Sequence, residues 1–112
     1  MTNAVPSNQE PVDPEPAEVW LMPVFTARAG HERELQSVLS SLQAESRKDA
    51  GCLEYTVFAD MQRPGTYVMF EGWARLEDLE DHNQQQHVKD FVEAVKPLLE
   101  VPFSVTTLEP LA

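Results

Sequence analysis

The chain has 112 residues, enough for one hydrophobic core, and 42% of them are hydrophobic, which excludes wholesale disorder. Nineteen acidic residues against eight basic ones give a net charge of -11. So acidic a chain, with no Lys/Arg cluster, argues against nucleic acid and anionic membrane surfaces as partners. The single cysteine, Cys52, forms no internal disulfide, which fits a reducing compartment. No apolar run approaches the roughly 20 residues that cross a bilayer. The first residues show neither a basic nor an apolar signal region, so the expected location is the cytoplasm.

Residues 1 to 17, MTNAVPSNQEPVDPEPA, hold four prolines and no aromatic residue and predict an extended acidic tail. The ordered part is expected from residue 18 to residue 112. EVWLMPVFTA (18 to 27) reads as a strand, with Pro23 predicting a bulge or a locally unpaired edge. From His31, the spacing of Leu35, Val38, Leu39 and Leu42 predicts a helix to about Lys48, stopped by Gly51. LEYTVFAD and TYVMFEGWA form strands joined through Arg63-Pro64-Gly65, an antiparallel hairpin. Leu76 and Leu79 mark a short helix. Val88, Phe91, Val92, Val95 and Leu99 mark a longer one, ended near Lys96 by Pro97. PFSVTTLEP (102 to 110) alternates as a fourth strand.

The order β-α-β-β-α-β, with right-handed crossovers, predicts an α+β ferredoxin-like fold: a four-stranded antiparallel sheet with both helices on one face. The strands carry apolar residues on both faces, Trp20, Met22 and Val24 against Leu21 and Phe25. One face is left for a partner, which predicts a homodimer packed sheet to sheet, a dimeric α/β-barrel assembly.

GCLEY (51 to 55), YVMFEGWA (67 to 74), LEDLEDH (76 to 82) and HVKDFVEAVKPLL (87 to 99), in this order and spacing, resemble the antibiotic biosynthesis monooxygenase superfamily. Its quinol monooxygenase-like members are the nearest in pattern, over residues 18 to 110. The resemblance implies an apolar cavity between sheet and helices. It also implies cofactor-independent oxygenation of a quinol or polycyclic phenol by molecular oxygen. An electron-rich phenolate reduces oxygen itself, so the site needs aromatic walls, a hydrogen-bonding or basic side chain and dry surroundings. No flavin, haem or stoichiometric metal is expected.

Trp73, His82 and His87 are the candidate catalytic residues. Trp73 can stack on a planar ring or simply pack in the core. An imidazole titrates near neutrality and can act as base or donor, with a helix cap or core contact as the plain alternative. His87 is favoured slightly, because Val88 and Phe91 beside it suggest a buried face. On one continuous helix His82 and His87 lie about 140° apart and face away from each other. The polar break Asn83-Gln84-Gln85-Gln86 could reorient them, but no further Cys/His cluster completes a site and a metal is not expected. Tyr55, Tyr67, Phe91 and Phe25 are the candidate substrate-binding residues, all of them equally at home in a core. Glu71, in an apolar strand, needs a partner, and Arg75 is the expected one. His31 should be exposed, Cys52 lacks a base, and the acidic run 77 to 81 should be a solvated helix face.

Strand 1 lacks the asparagine used by the haem-degrading branch of the superfamily, which argues against haem chemistry. Two other functions stay open: a non-catalytic dimeric binding module for a hydrophobic metabolite, and an isomerase of a small phosphorylated signalling molecule. The second would want a basic or glycine-rich pocket, which the chain does not clearly offer.

Overall fold

The computed structural model describes residues 17–112. The expected tail therefore lies outside the described residues, Ala17 apart. The chain forms β1 (Val19–Thr26), α1 (Glu32–Ser46), β2 (Cys52–Ala59), β3 (Thr66–Trp73), α2 (Leu76–Asn83), α3 (Gln86–Val95), a 3-10 turn (Lys96–Leu98) and β4 (Ser104–Leu108). The sheet is antiparallel in the order β2-β3-β1-β4, the ferredoxin-like arrangement. Sequential strands β2 and β3 pair as a hairpin, and β1 enters between β3 and β4.

Pro23 lies on a central strand. Its ladder to β4 is continuous, whereas pairing to β3 lapses at Met22 and Pro23 between the Leu21–Glu71 and Val24–Val68 pairs, with no change of register. The missing N–H thus opens a local gap without adding a bulge. The irregularity in the sheet occurs instead in β2, between Cys52 and Glu54. β4 is shorter than its alternation suggests, since only Ser104 to Leu108 find a partner along β1.

One face of the sheet and the helices share the core. Phe25, Tyr55, Tyr67, Met69 and Trp73 come from strands, while Leu35, Leu39 and Leu42 come from α1 and Val88, Phe91 and Val95 from α3. The helical residues recur at three- and four-residue intervals and so form single stripes facing the sheet. Leu99 stays buried although it has left the helix, bridging to Ala27 after the Pro97 turn. On the opposite face lie Trp20, Met22, Val24, Phe58, Val68 and Phe70, following the strand alternation. Trp20 stacks on Phe70 at 5.2 Å and lies over Gly72, where any Cβ would overlap its ring. No second layer covers this face among the described residues. No helix there is long and apolar enough to cross a membrane.

Candidate active site

A cavity of about 260 Å³ opens between the sheet and the α2–α3 segment. Its walls are mainly apolar and include Phe25, Tyr55, Phe91 and Phe103, and the polar residues among its lining are Glu71, His82, Asn83 and Tyr55. Glu71 projects from β3 on the helix-covered face, as do Tyr67, Met69 and Trp73, because side chains two apart share a face.

Glu71 has a partner, though not the expected one. Its Oε1 accepts a 2.8 Å bond from the indole Nε1–H of Trp73, two residues along the same face. Arg75 is exposed and lies 4.0 Å from Glu77 instead. The strand ends between Trp73 and Arg75, so the guanidinium cannot turn back to the cavity. Burial drives the Glu71 carboxyl above the ordinary glutamate range, and the indole bond only partly opposes this. Burial likewise pushes the Tyr55 phenol upward, with the Glu71 charge adding to it. Tyr55 is therefore a neutral O–H group.

Trp73 is fully buried. Its N–H is committed to Glu71 and orients the carboxylate, and its enclosed ring is not part of the cavity lining. The other side of its environment is His82, whose ring lies 4.4 Å away, and Tyr55 meets both rings. His82 Nδ1 bonds Asp49 Oδ2 at 2.7 Å. Burial holds this imidazole below its usual range, outweighing the bond and the charge of Asp49, so it remains neutral.

His87 reaches the same carboxylate oxygen, with Nε2 3.1 Å from Asp49 Oδ2. The expected divergence of the two imidazoles is corrected here. The angle of about 140° applies to one continuous helix, but α2 ends at Asn83 and Gln85 is extended (φ -67, ψ 144) before α3 begins. The break redirects the second ring, and the two imidazoles converge, their centroids 5.9 Å apart.

Asp49, absent from the sequence-derived candidates, is delivered by the turn after α1. Its N–H donates to Ser46 and its carbonyl accepts from Cys52. Gly51 makes the close approach possible, having φ +80 and standing where a side chain would overlap Asp78 of α2. Its carbonyl accepts from Ala74, tying the turn to the end of β3. The sequence signal was the DAG turn itself. Nothing within it pointed to residues 33 and 38 positions away.

Of the expected site residues, His82, Tyr55, Phe25 and Phe91 line the cavity. Trp73 stands behind Glu71, and His87 faces a separate shallow groove with Glu45 and Asp90. Tyr67 is not on the cavity; its hydroxyl accepts a 2.7 Å bond from Gln36 on α1. Burial pushes the Cys52 thiol up, away from the reactive thiolate. His31 is half-buried and pairs with Glu34 at 3.0 Å.

Residues 19–94 match the model of the antibiotic biosynthesis monooxygenase family. The chain belongs to this family. It is 33% identical over 76 residues to the Bacillus subtilis protein named "Putative monooxygenase YcnE", a match covering 68% of this chain and 80% of that one. Among solved structures, PA3566 from Pseudomonas aeruginosa superposes with a TM-score of 0.81 at 31% identity, covering 88% of this chain and 98% of its own. Rv0793 from Mycobacterium tuberculosis gives 0.81 at 26%, covering 86% and 97%. The ferredoxin-like fold and the family assignment thus agree with the element order and with the GCLEY and FEGWA segments.

Proposed function

We propose that this family member is a monooxygenase that takes a small quinol or phenol into the cavity and oxygenates it with molecular oxygen. The observation that carries the reading is Glu71, a carboxyl raised by burial, aimed by an indole N–H into an aromatic-lined space. A phenol must lose its proton before it can reduce oxygen, and a carboxylate of raised basicity is a better acceptor for that proton. His82 is the second proton-handling group on the wall. Trp73 acts behind them by fixing Glu71, and His87 shares the Asp49 carboxylate with His82.

The size agrees. Benzene fits a cavity of roughly 150 Å³, so about 260 Å³ suits one or two fused rings. The substrate's own electrons balance the chemistry without flavin or haem. A hydroquinone and one oxygen molecule give a hydroxyquinone and water, one oxygen atom entering each product. The lining holds no Lys or Arg, so a phosphorylated substrate would meet Glu71 without a counter-charge, which disfavours the isomerase reading. The working form in this proposal is a cytoplasmic homodimer. A second copy covers the Trp20, Met22, Val24 and Phe70 face, consistent with the apolar character of that surface.

Oxygen uptake against a panel of quinols and anthrones, corrected for autoxidation, tests the activity. Uptake with an oxygenated product, falling on the order of 100-fold in Glu71→Gln while binding persists, is expected. Tight binding without turnover by any panel member would establish the non-catalytic binding module instead.

A further inference from the structure

Three potential ligand atoms from three different elements meet at one point: Asp49 from the α1–β2 turn, His82 from α2 and His87 from α3, all within 4.8 Å of one another. We infer that this cluster is a binding site for one divalent transition-metal cation, held by His82 Nδ1, His87 Nε2 and a carboxylate oxygen of Asp49. The site shares His82 with the cavity wall, and its occupancy is read without turnover.

The spacing fits a shared ion. Metal–nitrogen and metal–oxygen bonds of about 2.0–2.2 Å put neighbouring ligand atoms roughly 3 Å apart. The two nitrogens lie 2.7 Å and 3.1 Å from Asp49 Oδ2. A plain Asp–His network accounts for only one of them. His82 Nδ1 makes an aligned hydrogen bond, whereas His87 Nε2, shut away from water, has no hydrogen-bond partner despite its distance. A buried ring nitrogen 3.1 Å from a carboxylate oxygen but not aligned to bond it is costly unless another group satisfies it. A cation accepts both nitrogens and the oxygen at once, and it removes that cost.

The donor set selects the metal class. Two imidazoles and one carboxylate suit zinc, cobalt, nickel, copper or ferrous iron, whereas calcium and magnesium seek mainly oxygen ligands. Three protein ligands leave at least one position for water. The charge also matches: two neutral imidazoles and one carboxylate around a divalent ion leave one net positive charge, in a chain whose net charge is -11. Bound there, the ion fastens the α1–β2 turn to both helices of the broken segment, beside the wall that carries His82.

The test is titration of untagged full-length protein with cobalt(II), followed by calorimetry and by the visible ligand-field absorption of the bound ion. The chain has three histidines, so His31→Ala serves as the control for the one outside the cluster. Expected are one site per chain, an intensified absorption band, and a Tm raised by about 5 °C or more at a hundredfold excess over the dissociation constant. His31→Ala should leave all three unchanged. Asp49→Asn and His87→Ala should each weaken binding at least tenfold. Because Asp49 also holds His82, the His87 variant is the cleaner of the two: removing an imidazole with no aligned bond leaves the metal-free fold intact. Absence of saturable binding by the wild type, or binding that His87→Ala leaves unchanged, overturns the assignment.

Discussion

Two carboxylates reach the indole of Trp73, and they do so by different routes. Glu71 is bonded to the indole N–H directly, from two residues away on the same strand face. Asp49 reaches it through His82, whose tilted ring packs against the tryptophan, from a turn 24 positions earlier in the chain than Trp73. The first pairing follows from strand alternation and is nearly inevitable once β3 forms. The second exists only when a loop, two helices and a strand end assemble. Their electrostatics differ accordingly. Glu71 faces an apolar cavity with one neutral donor and is driven toward its protonated form, while Asp49 faces two imidazoles. The local pair suits proton transfer and the assembled one suits a cation.

The largest test of this contrast is to remove what joins the two. Trp73→Ala should cost about 3–5 kcal/mol in urea unfolding, since the side chain is fully buried between both groups. A loss below about 1 kcal/mol would mean the indole is not the common support. Next comes Asp49→Ala, measured in metal-free buffer. It strands the buried His82 Nδ1 and should cost about 1–3 kcal/mol, whereas an unchanged midpoint would show that the triad is not preformed.

Glu71→Gln separates the two carboxylates by sign. A folded-state value above the unfolded one means the native protein binds the extra proton. Stability therefore falls as pH rises from the ordinary glutamate range through the raised value. Glutamine keeps an acceptor for the indole and abolishes the charge, so at neutral pH the variant should be more stable by about 1 kcal/mol, with a flatter pH profile. Tyr55 and His82 share the cavity and Cys52 is nearby, so the profile should be compared with that of the wild type over the same range. A variant less stable than wild type at every pH would show that the charge is better compensated than its burial implies.

The smallest effect is expected at Tyr67→Phe, which breaks the bond from Gln36 at a cost of about 0.5–1 kcal/mol. Turnover should be unchanged, because the phenol does not face the cavity. A large loss of oxygen uptake would place Tyr67 in the site after all.

Local periodicity alone determined the element order, the hairpin, the apolar stripes of α1 and α3 and the two-faced sheet, because residues within a few positions set strand and helix patterns. The family resemblance, not periodicity, put Tyr55, Phe25, Phe91 and His82 among the candidates, and these four line the cavity. Periodicity did not reveal that Tyr67 turns to Gln36, that Glu71 answers to Trp73 instead of Arg75, or that Pro23 would sit mid-sheet. Above all it could not decide whether the polar break at residues 83 to 86 would hold His82 and His87 apart or bring them together. The extended Gln85 made them neighbours, and the positive-φ turn at Gly51 brought Asp49 between them. Periodicity has a range of a few residues, whereas a site assembled across three elements depends on where helices stop and how closely loops approach. Only the packed tertiary structure decides that.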